Sequence, residues 1–107
     1  MNQDLIGRIQ SQLKPVLERC RAERAIVFGS VARGDVSRHS DLDLIVIQRT
    51  KKRFFDRYIP ILKDLFLAAP EWELNLLIYT PEELERMKGR PFIATALREG
   101  VTIYESE

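Results

Sequence analysis

The chain has 107 residues, 45% of them hydrophobic and 31% charged, with 17 Lys and Arg against 16 Asp and Glu for a net charge of +1. That length predicts one domain, residues 1–107, with a single core and little room for a second site-building domain. Near-neutral charge excludes an extended grip on nucleic-acid phosphates, and a lone cysteine with no Cys/His cluster excludes an internal disulfide and a zinc site. No apolar run approaches a membrane span, and the start MNQDLIGRIQ lacks the marks of a signal peptide, so a cytoplasmic protein is expected.

Residues 3–22 carry Leu5, Ile6, Ile9, Leu13, Val16, Leu17 and Cys20 at helical spacing, a core-facing stripe. Pro15 falls inside it and predicts a kink or a restarted turn near Lys14. Cys20 lies on the stripe and reads as a small buried hydrophobe rather than a reactive thiol. A polar connector leads to a short strand over 25–28, which breaks at Gly29-Ser30. A second apolar run, 42–47, is opened by Asp41 and Asp43. Strand residues two apart share a face, so Asp41, Asp43, Ile45 and Ile47 point one way and Leu42, Leu44 and Val46 the other. Both faces turn apolar after the acids, which predicts a central strand covered on both sides.

The basic run Arg49, Lys51, Lys52 and Arg53 reads as the solvated start of a helix, or else as a surface for a polyphosphate tail or an acidic partner. Phe54, Phe55, Tyr58, Ile59, Leu62, Leu65 and Phe66 continue at helical spacing to Ala69, with a bend or fresh start at Pro60. These aromatics read as core or interface rather than a base-stacking platform. A third strand spans 72–79, with Trp72, Leu74, Leu76 and Ile78 on one face and Glu73, Asn75, Leu77 and Tyr79 on the other. Thr80-Pro81-Glu82-Glu83 starts a helix with a Thr cap, a first-turn proline and acids at the positive helix end. A last helix over 92–99 stops at Gly100, and 101–104 adds a short strand. The order α-β-α-β-α-β-α-α-β predicts an α+β fold, helices packed on a small mixed sheet.

Asp41 and Asp43 stand side by side, and like charges repel unless something positive lies between them. A divalent cation is the simplest candidate, and a loop-capping role the alternative. Hard oxygen donors without His or Cys favour Mg²⁺ or Mn²⁺. Gly29, directly after a strand, allows a sharp turn and close ligand approach. Ser30 is positioned to cap a short helix whose free N–H groups attract anions, and its hydroxyl adds a phosphate donor; a plain structural cap is the alternative. Together, turn and acid pair supply a phosphate cradle and a metal holder for a nucleoside triphosphate.

The run Gly29-Ser30-x-Ala32-Arg33-Gly34-Asp35 followed by Ser40-Asp41-x-Asp43-Leu44 closely resembles the signature of the DNA polymerase beta-like nucleotidyltransferase superfamily. More narrowly, it resembles the minimal nucleotidyltransferases of bacteria and archaea, many encoded beside a HEPN-domain partner. The resemblance implies that Gly29 and Ser30 bind the triphosphate and that Asp41 and Asp43 ligate the metal ions on it. Arg33 either contacts phosphate or, the preferred reading, braces the turn through Asp35. Ser40 fixes the approach to the strand, and His39 has no role. The implied reaction is in-line attack of an acceptor hydroxyl on the α-phosphorus of a triphosphate, with ATP the expected donor, pyrophosphate leaving and two Mg²⁺ (or Mn²⁺) ions assisting.

The family's third acid falls on Asn75, which is neither a base nor a strong ligand. Glu73, two residues earlier on the same face, substitutes if it reaches, which makes Asp41, Asp43 and Glu73 the expected catalytic and metal set. The resemblance further implies the antitoxin of a toxin–antitoxin pair, with the acceptor hydroxyl on a HEPN-type partner. The alternative is a degenerate module that binds its partner without chemistry. The apolar third helix suits a homo- or hetero-oligomer.

Overall fold

Four strands, β1 (Arg24–Phe28), β2 (Asp41–Ile47), β3 (Glu73–Tyr79) and β4 (Val101–Glu105), form one sheet in the order β3-β2-β1-β4. The computed structural model describes residues 2–35 and 41–106, so His39 and Ser40 lie outside the described residues. β1 runs antiparallel to both β2 and β4, whereas β2 and β3 are parallel. A parallel pair needs a long crossover, and α3 (Tyr58–Ala68) supplies it. The sheet is therefore mixed, as the element order predicts.

The side-chain alternation of β2 decides the layering. Leu42, Leu44 and Val46 join a buried cluster with Leu13 and Leu17 of α1 (Asn2–Arg19) and with Ile61 and Leu65 of α3. Ile45 and Ile47 face the opposite side, where Ile93 and Ala96 of α5 (Pro91–Glu99) and, at its margin, Leu84 of α4 (Pro81–Met87) cover them. Leu42, Leu44, Ile45 and Val46 are all 0% exposed, which makes β2 the doubly covered central strand that its sequence implies. Burying each such side chain contributes about 1.5–3 kcal/mol, which anchors the strand that carries the two aspartates.

Two expectations from the sequence are corrected and a third is narrowed. α1 runs as one helix from Asn2 to Arg19 with Pro15 inside it, so no turn restarts near Lys14. Pro15 and Ser11 both lie on the exposed side, so the carbonyl that loses its N–H partner opens to water at low cost. Second, residues 49–53 form an exposed loop rather than a helix start. Helical structure begins after it, with a single 3-10 turn at Phe55–Arg57 that leads into α3. Pro60 then falls in the first turn of α3, where its missing N–H has no intrahelical partner to lose. Third, Phe55 in the turn before α3 and Phe66 on α3 are exposed, so of the two readings for these aromatics, core or interface, the core is excluded for them.

Arg57 is the residue that sequence reasoning passed over. It is only 6% exposed, and its Nη1 and Nη2 donate to Glu83 Oε1 and Oε2 at 2.6 and 3.0 Å. Its Nε donates to the Lys52 carbonyl at 3.0 Å and its Nη1 also to the Ile78 carbonyl at 3.3 Å. Glu83 in turn accepts from the Thr80 amide while its own amide donates to Thr80 Oγ1, a capping box at the start of α4. The Arg57 guanidinium holds the Glu83 carboxyl down to a pKa of about 2. This bidentate pair ties the loop after β2 to the helix after β3. Cys20 is half-buried, and burial pushes its thiol up, which fits its reading as a hydrophobe.

Candidate active site

The site forms where β1 leaves the sheet and β2 and β3 enter it. Antiparallel pairing sets Phe28, the last residue of β1, opposite Asp43 of β2. The chain must turn away immediately, and Gly29 does so at φ +70°, the left-handed region that favours glycine. A Cβ on Gly29 would overlap the Asp43 carboxylate. The same glycine is therefore required twice, for its backbone angle and for the space its missing side chain leaves to the acid.

α2 (Gly29–Arg33) begins at that glycine, with Phe28 as its extended N-cap and no side-chain cap. Ser30 thus sits inside the first helical turn instead of capping it, because strand passes to helix with no intervening loop. The helix closes on Gly34 at φ +87°, and the Asp35 amide donates to the Ser30 carbonyl at 2.9 Å. Arg33 Nε lies 3.7 Å from Asp35 Oδ2 and its Nη1 3.5 Å from Glu99 Oε1. The bracing contact to Asp35 is present, and it extends to α5.

Asp41 and Asp43 share a face of β2, half-exposed at the strand's mouth. In-register parallel pairing sets Glu73 opposite Asp41 and Asn75 opposite Asp43, on that same face. Asn75 Nδ2 donates to Asp41 Oδ2 at 3.0 Å and to Asp43 Oδ1 at 2.9 Å. The bridging position that charge repulsion assigns to a cation is thus spanned here by a neutral amide with two N–H donors. Glu73 stands exposed at the outer end of β3. Among the described residues, no three His, Cys, Asp or Glu side chains stand close enough to hold a metal ion. Two accessible carboxylates do fit one Mg²⁺ or Mn²⁺ that completes its shell with water and phosphate oxygens.

Two clefts meet at Asp43. The smaller, about 330 Å³, is lined by Gly29, Ser30, Arg33 and Asp43 together with Thr95 and Glu99 of α5. The larger, about 620 Å³, is mainly apolar and lined by Asp43 and Asn75 with Tyr58, Leu62 and Leu77. Phe28 and Phe92 wall both, stacked edge to face with ring centroids 5.8 Å apart. The structure thus brings Gly29, Ser30, Arg33 and Asp43 to one cleft and sets Asp41 beside it. The contribution of α5 has no sequence signal, since Phe92, Thr95 and Glu99 read only as parts of a closing helix.

Comparison with known proteins bears on the family and the fold. Residues 11–107 match the family model described as Polymerase beta, Nucleotidyltransferase. No curated protein matches the chain in sequence. Among solved structures, a nucleotidyltransferase candidate from Sulfolobus solfataricus superimposes with a TM-score of 0.65 at 18% identity, over 97% of this chain and 83% of that one. A toxin–antitoxin complex with AMP-PNP gives 0.64 at 15% identity, over 92% and 74% of the two chains. A mutant of the toxin–antitoxin pair MntA-HpeT gives 0.63 at 12% identity, with the same coverage of 92% and 74%. At these identities the structural likeness establishes the fold alone.

Proposed function

Because this chain belongs to the polymerase beta nucleotidyltransferase family, we propose that it seats a nucleoside triphosphate across Gly29-Ser30 and the Asp41/Asp43 pair and transfers the nucleoside monophosphate to an acceptor hydroxyl. The observation that carries this reading is the fit between Gly29 and Asp43. The missing Cβ leaves room for the carboxylate against the turn, so Gly29, Ser30 and Asp43 open into one cleft with Asp41 beside it. ATP is the expected donor, its triphosphate in the smaller cleft and its nucleoside toward the apolar one walled by Phe92.

Each residue then has a task. The turn and the Ser30 hydroxyl orient the phosphates, and Arg33, pinned to Asp35 and Glu99, keeps the turn rigid. Asp41 and Asp43 are the residues that would hold Mg²⁺ or Mn²⁺, which when bound supplies positive charge against the triphosphate oxygens. The acceptor oxygen forms a bond to the α-phosphorus as the bond from that phosphorus to pyrophosphate breaks, and the acceptor proton passes to a carboxylate. Glu73 is the remaining acid on this face. Positioning and electrostatics provide most of the acceleration.

The acceptor hydroxyl belongs, in this reading, to a partner protein of HEPN type, with this chain as antitoxin. Phe55, Ile59, Leu62, Phe66 and Leu67 are 37–80% exposed along the outer face of α3 and the turn before it. Exposed large apolar side chains of this kind suit a protein–protein contact, where a stable complex buries ~800 Å² per partner. A groove of about 730 Å³ runs from Leu62 and Phe66 to Glu73 and Asn75, so a protein seated there reaches Asn75, which bonds to the acid pair.

A second reading keeps this surface and drops the chemistry. Asn75 favours it, because an amide stands where a third carboxylate would act as base. One experiment separates the two: ATP labelled at the α-phosphate, Mg²⁺ and the candidate partner, with wild type and the Asp41→Ala, Asp43→Ala and Glu73→Ala variants. Label on the partner that vanishes in both aspartate variants supports transfer. A stable complex that never acquires label supports binding alone.

A further inference from the structure

We infer that Asn75 makes this a one-cation site: its amide takes the bridging place between Asp41 and Asp43, and the only cation admitted is the one that the nucleotide brings. The inference rests on the nucleotide reading above and adds what that reading leaves open, the number of ions. Two-ion phosphoryl-transfer sites hold their cations about 3.5–4 Å apart, and a second ion needs hard oxygen donors of its own beside those that hold the first. The position in register with Asp43 is where a third carboxylate would lie between strands, and it is occupied by an amide.

The orientation of that amide is fixed by its neighbours. Nδ2 lies 3.0 Å from Asp41 Oδ2 and 2.9 Å from Asp43 Oδ1, so both of its N–H groups are spent on the acids. Turning the amide over would press its carbonyl oxygen against two carboxylate oxygens and lose both hydrogen bonds. Asn75 therefore shows the acid pair two donors where a carboxylate would show ligand oxygens. In this reading the other carboxylate oxygen of each aspartate is the one that faces the single ion. Glu73 supplies no substitute, for no three acids gather among the described residues.

Mn²⁺ titration followed by electron paramagnetic resonance tests this, with and without an α,β-methylene ATP analogue, on wild type, Asn75→Asp, Asn75→Ala and Glu73→Ala. With the analogue, wild type should bind about one ion per chain, from two hard donors plus phosphate, and Asn75→Asp about two. Without nucleotide, Asn75→Asp should bind Mn²⁺ at least tenfold more tightly than wild type, and its melting temperature in EDTA should fall below wild type and recover on adding Mn²⁺. Asn75→Ala, which removes the donors but adds no charge, should gain no ion. Two ions in wild type, falling to one in Glu73→Ala, would overturn the inference and make Glu73 the third carboxylate. Unchanged stoichiometry and affinity in Asn75→Asp would overturn it as well. If the analogue fails to bind while Asn75→Asp still gains Mn²⁺, the nucleotide reading fails and the account of Asn75 stands.

Discussion

The β2–β3 pair ends in two polar clusters of opposite character. At the far end, Arg57, Glu83 and Thr80 form a closed set: the buried guanidinium meets a carboxylate bidentately, and the carboxylate also completes a helix cap. At the near end, Asp41 and Asp43 bring two like charges together at a half-exposed edge, bridged among the described residues by the neutral amide of Asn75. Charges that satisfy one another hold the fold. Like charges kept together by the sheet leave a demand for positive charge that a ligand can meet, and that difference separates a structural cluster from a candidate site.

The contrast is broken most severely at the functional end. Asp43→Ala should lower nucleotidyl transfer about 10³-fold while leaving the melting temperature equal or slightly higher, since it removes a repulsion. Transfer assays paired with thermal melts check both halves, and a large loss of stability would place Asp43 among the structural charges. Arg57→Ala should do the reverse. It strands a partly buried carboxylate and should cost about 3 kcal/mol in a urea titration, with transfer per folded molecule unchanged.

The closed cluster also predicts a pH dependence. Glu83 has its pKa lowered from 4.5 to about 2, chiefly by Arg57, so its contribution to stability is complete above about pH 4.5 and is lost as pH falls toward 2. The loss is on the order of 3 kcal/mol by linkage. Urea midpoints measured across that window should fall more steeply in wild type than in Glu83→Gln. A smaller effect is expected where the two themes meet. Gly29→Ala forces an L side chain to φ +70° and into the Asp43 carboxylate, so it should cost about 1–2 kcal/mol and weaken ATP-analogue binding in calorimetry. The smallest change in the isolated protein is expected from Phe66→Asp, within about 0.5 kcal/mol because the side chain is exposed. The same substitution should abolish capture of the partner in a pull-down.

The functional end was the more legible of the two. Period-two alternation places Asp41 and Asp43 on one face without any knowledge of the fold, and the apolar residues behind them mark β2 as central. Gly29-Ser30 after a strand marks the turn, and counting back along β3 puts an amide at position 75. The other end was hidden. Arg57 follows a basic run that reads as solvated, and its burial depends on Glu83, 26 residues later, across the β2–β3 crossover. A charge pattern along the chain carries no sign of a partner that distant. Ser30 was misplaced for a local reason, since composition does not say whether a loop residue separates strand from helix.

The sequence by itself determined the order of elements, the two faces of β2 and the acid pair with its phosphate turn, because these rest on spacings of one to four residues that backbone geometry imposes. Tertiary structure decided the rest. Parallel register brought Asn75 between the aspartates with its N–H groups inward, antiparallel pairing set Gly29 against Asp43, and the packing of α5 gave the cleft its second wall. These are contacts between segments tens of residues apart, and only chain closure around a common core fixes which of them meet.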